Sequence, residues 1–194
     1  NCMDDNAKDE TIIRLTNPVF KSHSLLYTNI PKLKKKSIVI LLDNAFSESE
    51  HKIIYMRLVH KIISYIYSFE NNFNVYIKDH PGGNIAKEFD IPHPIVLLDK
   101  FTSAEELILY NVDNIVAVLT TGSYAAVNLS SAGINVIDFI NLLSIDSTMK
   151  NRLQAHLGLS NSLKMADGYD SIHDCIFNKV ESSHKKKTEN DWNL

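Results

Sequence analysis

The segment Ser37-Ile38-Val39-Ile40-Leu41-Leu42 limits this chain more than any other. A strand with one solvated face alternates apolar and polar residues, and this one does not. It therefore reads as a strand buried on both faces, which calls for a parallel sheet covered on each side by helices. Similar runs recur downstream: Asn74-Val75-Tyr76-Ile77-Lys78, Ile95-Val96-Leu97-Leu98, Asn114-Ile115-Val116-Ala117-Val118-Leu119 and Ile134-Asn135-Val136-Ile137-Asp138-Phe139. Helical patterns lie between them. Ser47-Glu48-Ser49-Glu50 has the form of a capping box, followed by Ile54, Leu58, Ile62 and Ile66 at four-residue spacing. Ser103-Ala104-Glu105-Glu106 caps a helix to about Tyr110, and a small-residue helix runs from Tyr124 to Ser131 with Gly133 as its cap. Two more helical patterns span roughly Asp146 to Leu157 and Asp170 to Ser183. Strands joined by helices in this order give an α/β fold with a doubly wound parallel sheet.

Residues 37–183 form one such domain in this reading, with 184–194 a polar tail. Residues 1–36 carry Pro18 and Pro31 and no core of their own, and are expected to be a linker or the remnant of a preceding acceptor-binding domain. The absence of a starting Met fits a piece of a longer protein. Lys and Arg number 20 against 23 Asp and Glu, a net charge of −3, which gives no electrostatic case for a dedicated nucleic-acid binder. No apolar run approaches the length of about 18 residues that spans a bilayer. Cys2 and Cys175 are far apart and form neither a disulfide framework nor a zinc motif, in keeping with a reducing compartment. The first residues show no signal peptide. Lys32, Lys34, Lys35 and Lys36, and again Lys185, Lys186 and Lys187, are basic clusters. They read first as a solvated linker and tail, and second as an attraction to an anionic membrane surface.

Ligands of open parallel sheets bind beyond the carboxyl ends of the strands. Those ends here are Asp43-Asn44, His80-Pro81-Gly82-Gly83, Thr120-Thr121-Gly122-Ser123 and Asp138. The Thr/Gly/Ser turn stands between a strand and a helix N-terminus, where hydroxyls, backbone N–H groups and the helix dipole suit a phosphate. The plainer reading is that Ser123 caps the helix and Gly122 turns the chain. His80 can donate a proton or a hydrogen bond to a departing phosphate oxygen, with Lys78 adding positive charge. His93-Pro94 precedes the third strand, at its amino end, and is read as structural. The remaining histidines show no metal-ligand spacing. There is no Asp-x-Asp pair, G-x-x-x-x-G-K-[ST], G-x-G-x-x-G or G-x-S-x-G, which weighs against an NTPase, a dinucleotide oxidoreductase and an α/β-hydrolase.

Val75-Tyr76-Ile77-Lys78-Asp79-His80-Pro81 resembles the K-x-H-P motif of bacterial sialyltransferases, and Thr120-Thr121-Gly122-Ser123-Tyr124-Ala125 resembles their downstream Ser/Thr motif. The pattern is most similar to the lipooligosaccharide sialyltransferases, glycosyltransferase family 52, with the bacterial polysialyltransferases nearby. The resemblance covers about residues 37–140. It implies the Rossmann-like, nucleotide-binding C-terminal domain of a GT-B enzyme, inverting and metal-independent, with CMP-sialic acid as donor substrate and no cofactor. It also implies a bacterial surface glycan, lipooligosaccharide or capsule, as acceptor. The expected location is the cytoplasm, with peripheral contact at the inner membrane and a homodimer as further partner expectations. Carried over, His80 is the general acid or electrostatic partner of the CMP phosphate. Lys78, Pro81, Gly82, Thr120, Thr121, Gly122 and Ser123 form the donor nucleotide and phosphate site. Two base candidates stay open: Glu48, in the acidic turn after the first strand, and Asp5, in Asp4-Asp5-Asn6, which resembles the Asp/Glu-Asp-Gly motif that related sialyltransferases carry in the other domain, with Asn6 in place of Gly. Asp79 stands where the family has Pro or Gly, and a carboxylate there is expected to raise the His80 pKa. Two alternatives accompany this reading: a GT-B transferase of glycerol or polyol phosphate using a CDP-activated donor, and a non-catalytic subunit with the same fold.

Overall fold

Among the described residues of the computed structural model, six parallel strands form one sheet in the order β3-β2-β1-β4-β5-β6. The structure describes residues 30–46, 50–69, 72–88, 94–155 and 163–177. The strands are β1 (Ser37–Leu41), β2 (Asn74–Lys78), β3 (Val96–Leu98), β4 (Ile115–Thr120), β5 (Val136–Asp138) and β6 (Lys164–Met165). The helices are α1 (Lys52–Phe69), α2 (Ala104–Tyr110), α3 (Tyr124–Ser131), α4 (Ser147–Gln154) and α5 (169–177).

Every residue of β1 is buried, as its unbroken apolar run requires. Strand alternation divides that run between two cores. Ile38 and Ile40, with Val75, Ile77, Ala117, Leu119 and Ile137, face Tyr55, Met56, Val59, Ile62 and Ile66 of α1 and Ile172 and Ile176 of α5. Val39, Leu41, Tyr76, Val118 and Val136 face the other way, onto Ile108 of α2 and Ala126 and Leu129 of α3. The sheet is covered on both sides, so the doubly wound Rossmann-like class is what the chain adopts.

Three local features differ from the expectation. Ile54 is 38% exposed, and Tyr55 takes the inward position. A strict four-residue ladder advances 400° per step and drifts off the buried face of a 3.6-residue helix. The sixth strand was not expected. It is two residues long, too short for a periodic signal, and exists only because Lys164 and Met165 pair with Ile137 and Asp138. The boundary expected at residue 37 also moves upstream. Leu33 is 3% exposed within the second core, its N–H donating to Asn111 Oδ1 at 2.8 Å.

Two caps match their sequences. Ser103 accepts from the Glu106 N–H at the start of α2. At the end of α3, Gly133 takes φ +80°, with Ile134 N–H on Leu129 C=O and Gly133 N–H on Ser130 C=O. This is a Schellman closure, which a residue with a Cβ adopts only with strain. The capping box at Ser47–Glu50 falls partly outside the described residues. Among the described residues, no helix is long and apolar enough to cross a membrane.

Candidate active site

The strand order reverses between β1 and β4, and the crevice of such a sheet opens beyond the carboxyl ends near that reversal. A cleft of about 530 Å³ lies there, lined by Asp43, Lys78, Asp79, His80, Pro81, Glu105, Ser123 and Tyr124 among others. The loops after β1, β2 and β4 and the start of α2 all contribute to it. Two of the segments picked from the sequence, at His80 and at Ser123, are thereby brought to one cavity although 43 positions separate them.

The His80 loop is built from the inside. Pro81 occupies the second position of a turn closed by the Gly83 N–H on the His80 C=O at 2.8 Å. The Gly82 N–H donates to His80 Nδ1 at 3.1 Å. Nδ1 is therefore the acceptor nitrogen, and the neutral ring carries its proton on Nε2. His80 itself is exposed. Asp79 is turned away from this task. Its Oδ2 accepts the Ala86 N–H at 3.0 Å, and its Oδ1 packs so close to Gly83 that a Cβ there would stand 2.9 Å away. Gly83 is the residue this close approach demands, and Asp79 shapes the loop from beneath.

Two lysines brace the same loop, and the sequence singled out only one of them. Lys78, 3% exposed, donates to the Lys100 C=O at 3.0 Å. Lys100 donates in turn to the Gly83 C=O at 3.0 Å and to Asn84 Oδ1 at 2.8 Å, and lies 5.2 Å from the Phe101 ring centre. Desolvation pulls the Lys78 pKa below its ordinary value, opposed by the carboxylates of Asp99, Asp79 and Glu105. Between that lowered pKa and the unfolded value, the unfolded chain binds more protons than the folded one. Stability of the wild type is therefore expected to rise with pH in that alkaline window relative to Lys78→Met. Paired urea titrations across alkaline pH measure this, and parallel curves for the two proteins would refute it.

The Thr/Gly/Ser turn is used differently from the expectation. Thr120 and Thr121 are both fully buried and do not line the cleft. The Thr121 hydroxyl donates to Tyr55 Oη at 3.1 Å, and the Asp43 N–H reaches the same oxygen at 3.2 Å. Burial raises the Tyr55 pKa well above the ordinary phenol value, so the hydroxyl stays protonated. Gly122 sits at φ +68°, and its N–H donates to Asp138 Oδ2 at 2.6 Å rather than pointing to a ligand. The other oxygen, Asp138 Oδ1, accepts the Ile140 N–H at 2.9 Å. Ser123 is the member of the turn that reaches the cleft. It occupies the N-cap position of α3 but makes no side-chain cap bond. Its hydroxyl is thus placed at a helix N-terminus without being committed to the helix.

Gly82 serves through its N–H on His80, and Pro81 lines the cleft. Glu48, Asp5 and His93 lie outside the described residues. Among the described residues, no group of three or more His, Cys, Asp or Glu is placed to hold a metal ion. Tyr55 and Lys100 are residues the motif reading missed, and Asp138 is named there as a strand end without a role. Asp138 had a signal, as a carboxylate at a strand end. Tyr55 and Lys100 had none, since each acts through a partner distant in sequence. No protein-family model and no curated protein matches the chain, so what is shown is its fold: a doubly wound α/β domain with a cleft at the carboxyl edge of its sheet.

Proposed function

We propose that this chain is the donor-binding half of a metal-independent, inverting glycosyltransferase that moves sialic acid from CMP-sialic acid to a bacterial surface glycan. The observation that carries this reading is the meeting of His80 and Ser123 in one cleft, with the Gly82 N–H holding His80 Nδ1. That contact leaves Nε2–H as the donor. In this reading the Ser123 hydroxyl and the first turn of α3 receive the phosphate, and His80 donates to the oxygen on which charge grows as the glycosidic bond breaks. The lining carboxylates Asp43 and Glu105 also bear on the donor's chemistry. They repel a bare polyphosphate and accept hydroxyl protons, which suits a single phosphodiester carried between a ribose and a sugar.

Calorimetric titration with CMP is the direct test. CMP is expected to bind equally well in EDTA and in Mg²⁺. Ser123→Ala is expected to weaken it about tenfold, the loss of about 1.4 kcal/mol from one hydrogen bond to a charged group. In the full-length protein, His80→Ala is expected to lower transfer from CMP-sialic acid at least a hundredfold. Failure to bind CMP, or binding that needs Mg²⁺, would overturn the reading. Turnover of CDP-glycerol in place of CMP-sialic acid would reassign the donor.

A further inference from the structure

The four lysines before β1 form part of a rigid face at the amino edge of the sheet. Lys32, Lys34, Lys35 and Lys36 are all exposed, within a stretch whose backbone is fastened at several points. Asn111 Nδ2 donates to the Pro31 C=O at 3.0 Å, while its Oδ1 accepts the Leu33 N–H at 2.8 Å. The Lys34 N–H donates to Tyr76 Oη at 3.2 Å, and the Lys35 C=O accepts from Asn74 Nδ2 at 2.9 Å. The Leu33 side chain is buried in the core, so the stretch cannot lift away without exposing it.

The clamp residue Asn111 brings its chain neighbours to the same place. Tyr110 is 63% exposed and Val112 46% exposed, on either side of it. Asp113, also exposed, follows them and brings one acid to this stretch. The face therefore joins a basic cluster to an exposed aromatic and an aliphatic side chain, in a chain whose net charge is −3. Charge alone holds a protein to a lipid surface weakly and yields to salt. A tyrosine at headgroup level adds the second, apolar attachment that stable peripheral binding requires.

We infer that this face docks on an anionic phospholipid surface, with Lys32, Lys34, Lys35 and Lys36 over the headgroups and Tyr110 and Val112 at the interface. A bilayer fits better than a nucleic acid, because a single exposed tyrosine beside an aliphatic residue offers no row of stacking platforms. The cleft lies at the carboxyl edge of the same sheet. Docking by the amino edge leaves its mouth facing away from the lipid, open to a soluble ligand, whatever that ligand proves to be.

The test is co-sedimentation with vesicles of phosphatidylcholine carrying 30% phosphatidylserine (a probe composition, roughly the anionic content of an acidic leaflet). Binding is expected at about 0.1 M salt and is expected to fall steeply by about 0.5 M, as charges become screened. Each lysine carries about a fivefold change in partition, so changing all four to Gln is expected to weaken binding by roughly several hundredfold. Tyr110→Ser with Val112→Ser is expected to remove what survives at high salt. CMP binding and thermal melting serve as controls on folding, since none of these side chains lines the cleft. Equal binding to pure phosphatidylcholine, or binding untouched by the four-Gln variant, would overturn the proposal. So would loss of binding only when Lys185, Lys186 and Lys187 are changed. Single-stranded RNA that binds as tightly at the same salt, and loses its affinity in the four-Gln variant, would assign the face to nucleic acid instead.

Discussion

Asp138→Ala is expected to destabilise the protein by about 4 kcal/mol. The side chain is fully buried, and its two oxygens accept the Gly122 and Ile140 N–H groups. Truncation leaves both donors without those acceptors, in a place without access to solvent. A buried unsatisfied group costs about 1–3 kcal/mol, so two account for most of the figure. The remainder comes from Gly122, whose φ of +68° is held by the lost bond. Asp138→Asn keeps one acceptor oxygen and is expected to lose about half as much. Urea unfolding measures both, read as a shift in midpoint at constant m. A loss below about 1 kcal/mol for the alanine variant would show that the carboxyl group does not hold this turn. The effect reaches the cleft, because Gly122 immediately precedes Ser123. If the chain binds CMP as proposed, its affinity is expected to fall in Asp138→Asn under conditions where the variant remains folded.

Phe46→Ala is expected to cost a similar amount, about 4 kcal/mol, by a different route. Phe46 has no exposure and stacks on Tyr55, with ring centres 4.4 Å apart and planes inclined by 25°. Deleting a buried phenyl ring costs about 3–5 kcal/mol through lost transfer energy and the cavity left behind. Tyr55 then loses the surface that sets its ring, and its hydroxyl is the point where the Asp43 and Thr121 loops meet. Tyr55→Phe separates the two effects. It keeps the ring and removes the oxygen, and is expected to cost only about 1–2 kcal/mol. Combined with Phe46→Ala, its effect should shrink, because contacting residues in one network couple. Strict additivity of the two, in a double-mutant cycle of denaturant unfolding, would refute a shared role in holding the cleft loops.

Much of the fold was legible because the signals are local. The Ser37–Leu42 run announces a doubly covered strand by composition alone, and Ser103 and Gly133 mark helix ends by their own backbone chemistry. The α3 range from Tyr124 to Ser131 could be read directly. Strand order could not, because pairing of β1 with β4 rather than β3 depends on contacts spread over the whole chain. Nor could β6, which has no pattern apart from β5.

The candidate site divides along the same line. That His80 and Ser123 stand at strand ends follows from the sequence, since a parallel sheet carries its ligands there. What each hydroxyl and amide does was decided by the tertiary structure. Thr121 and Ser123 are two residues apart and chemically alike, yet one is spent on Tyr55, 66 positions earlier, and the other faces the cleft. Lys100 holds a loop 17 positions away, and Asp138 occupies the very N–H that a phosphate was expected to take. The lysines before β1 changed most. Composition made them a solvated linker, whereas Asn111, 78 positions from Leu33, makes them a fixed face. The sequence by itself determined the class of fold and the edge of the sheet where such a fold binds its ligands, because hydrophobic period and turn chemistry act over a few residues. Only the tertiary structure decided which polar groups remain available there, because each buried donor must find its acceptor wherever in the chain the packing brings one.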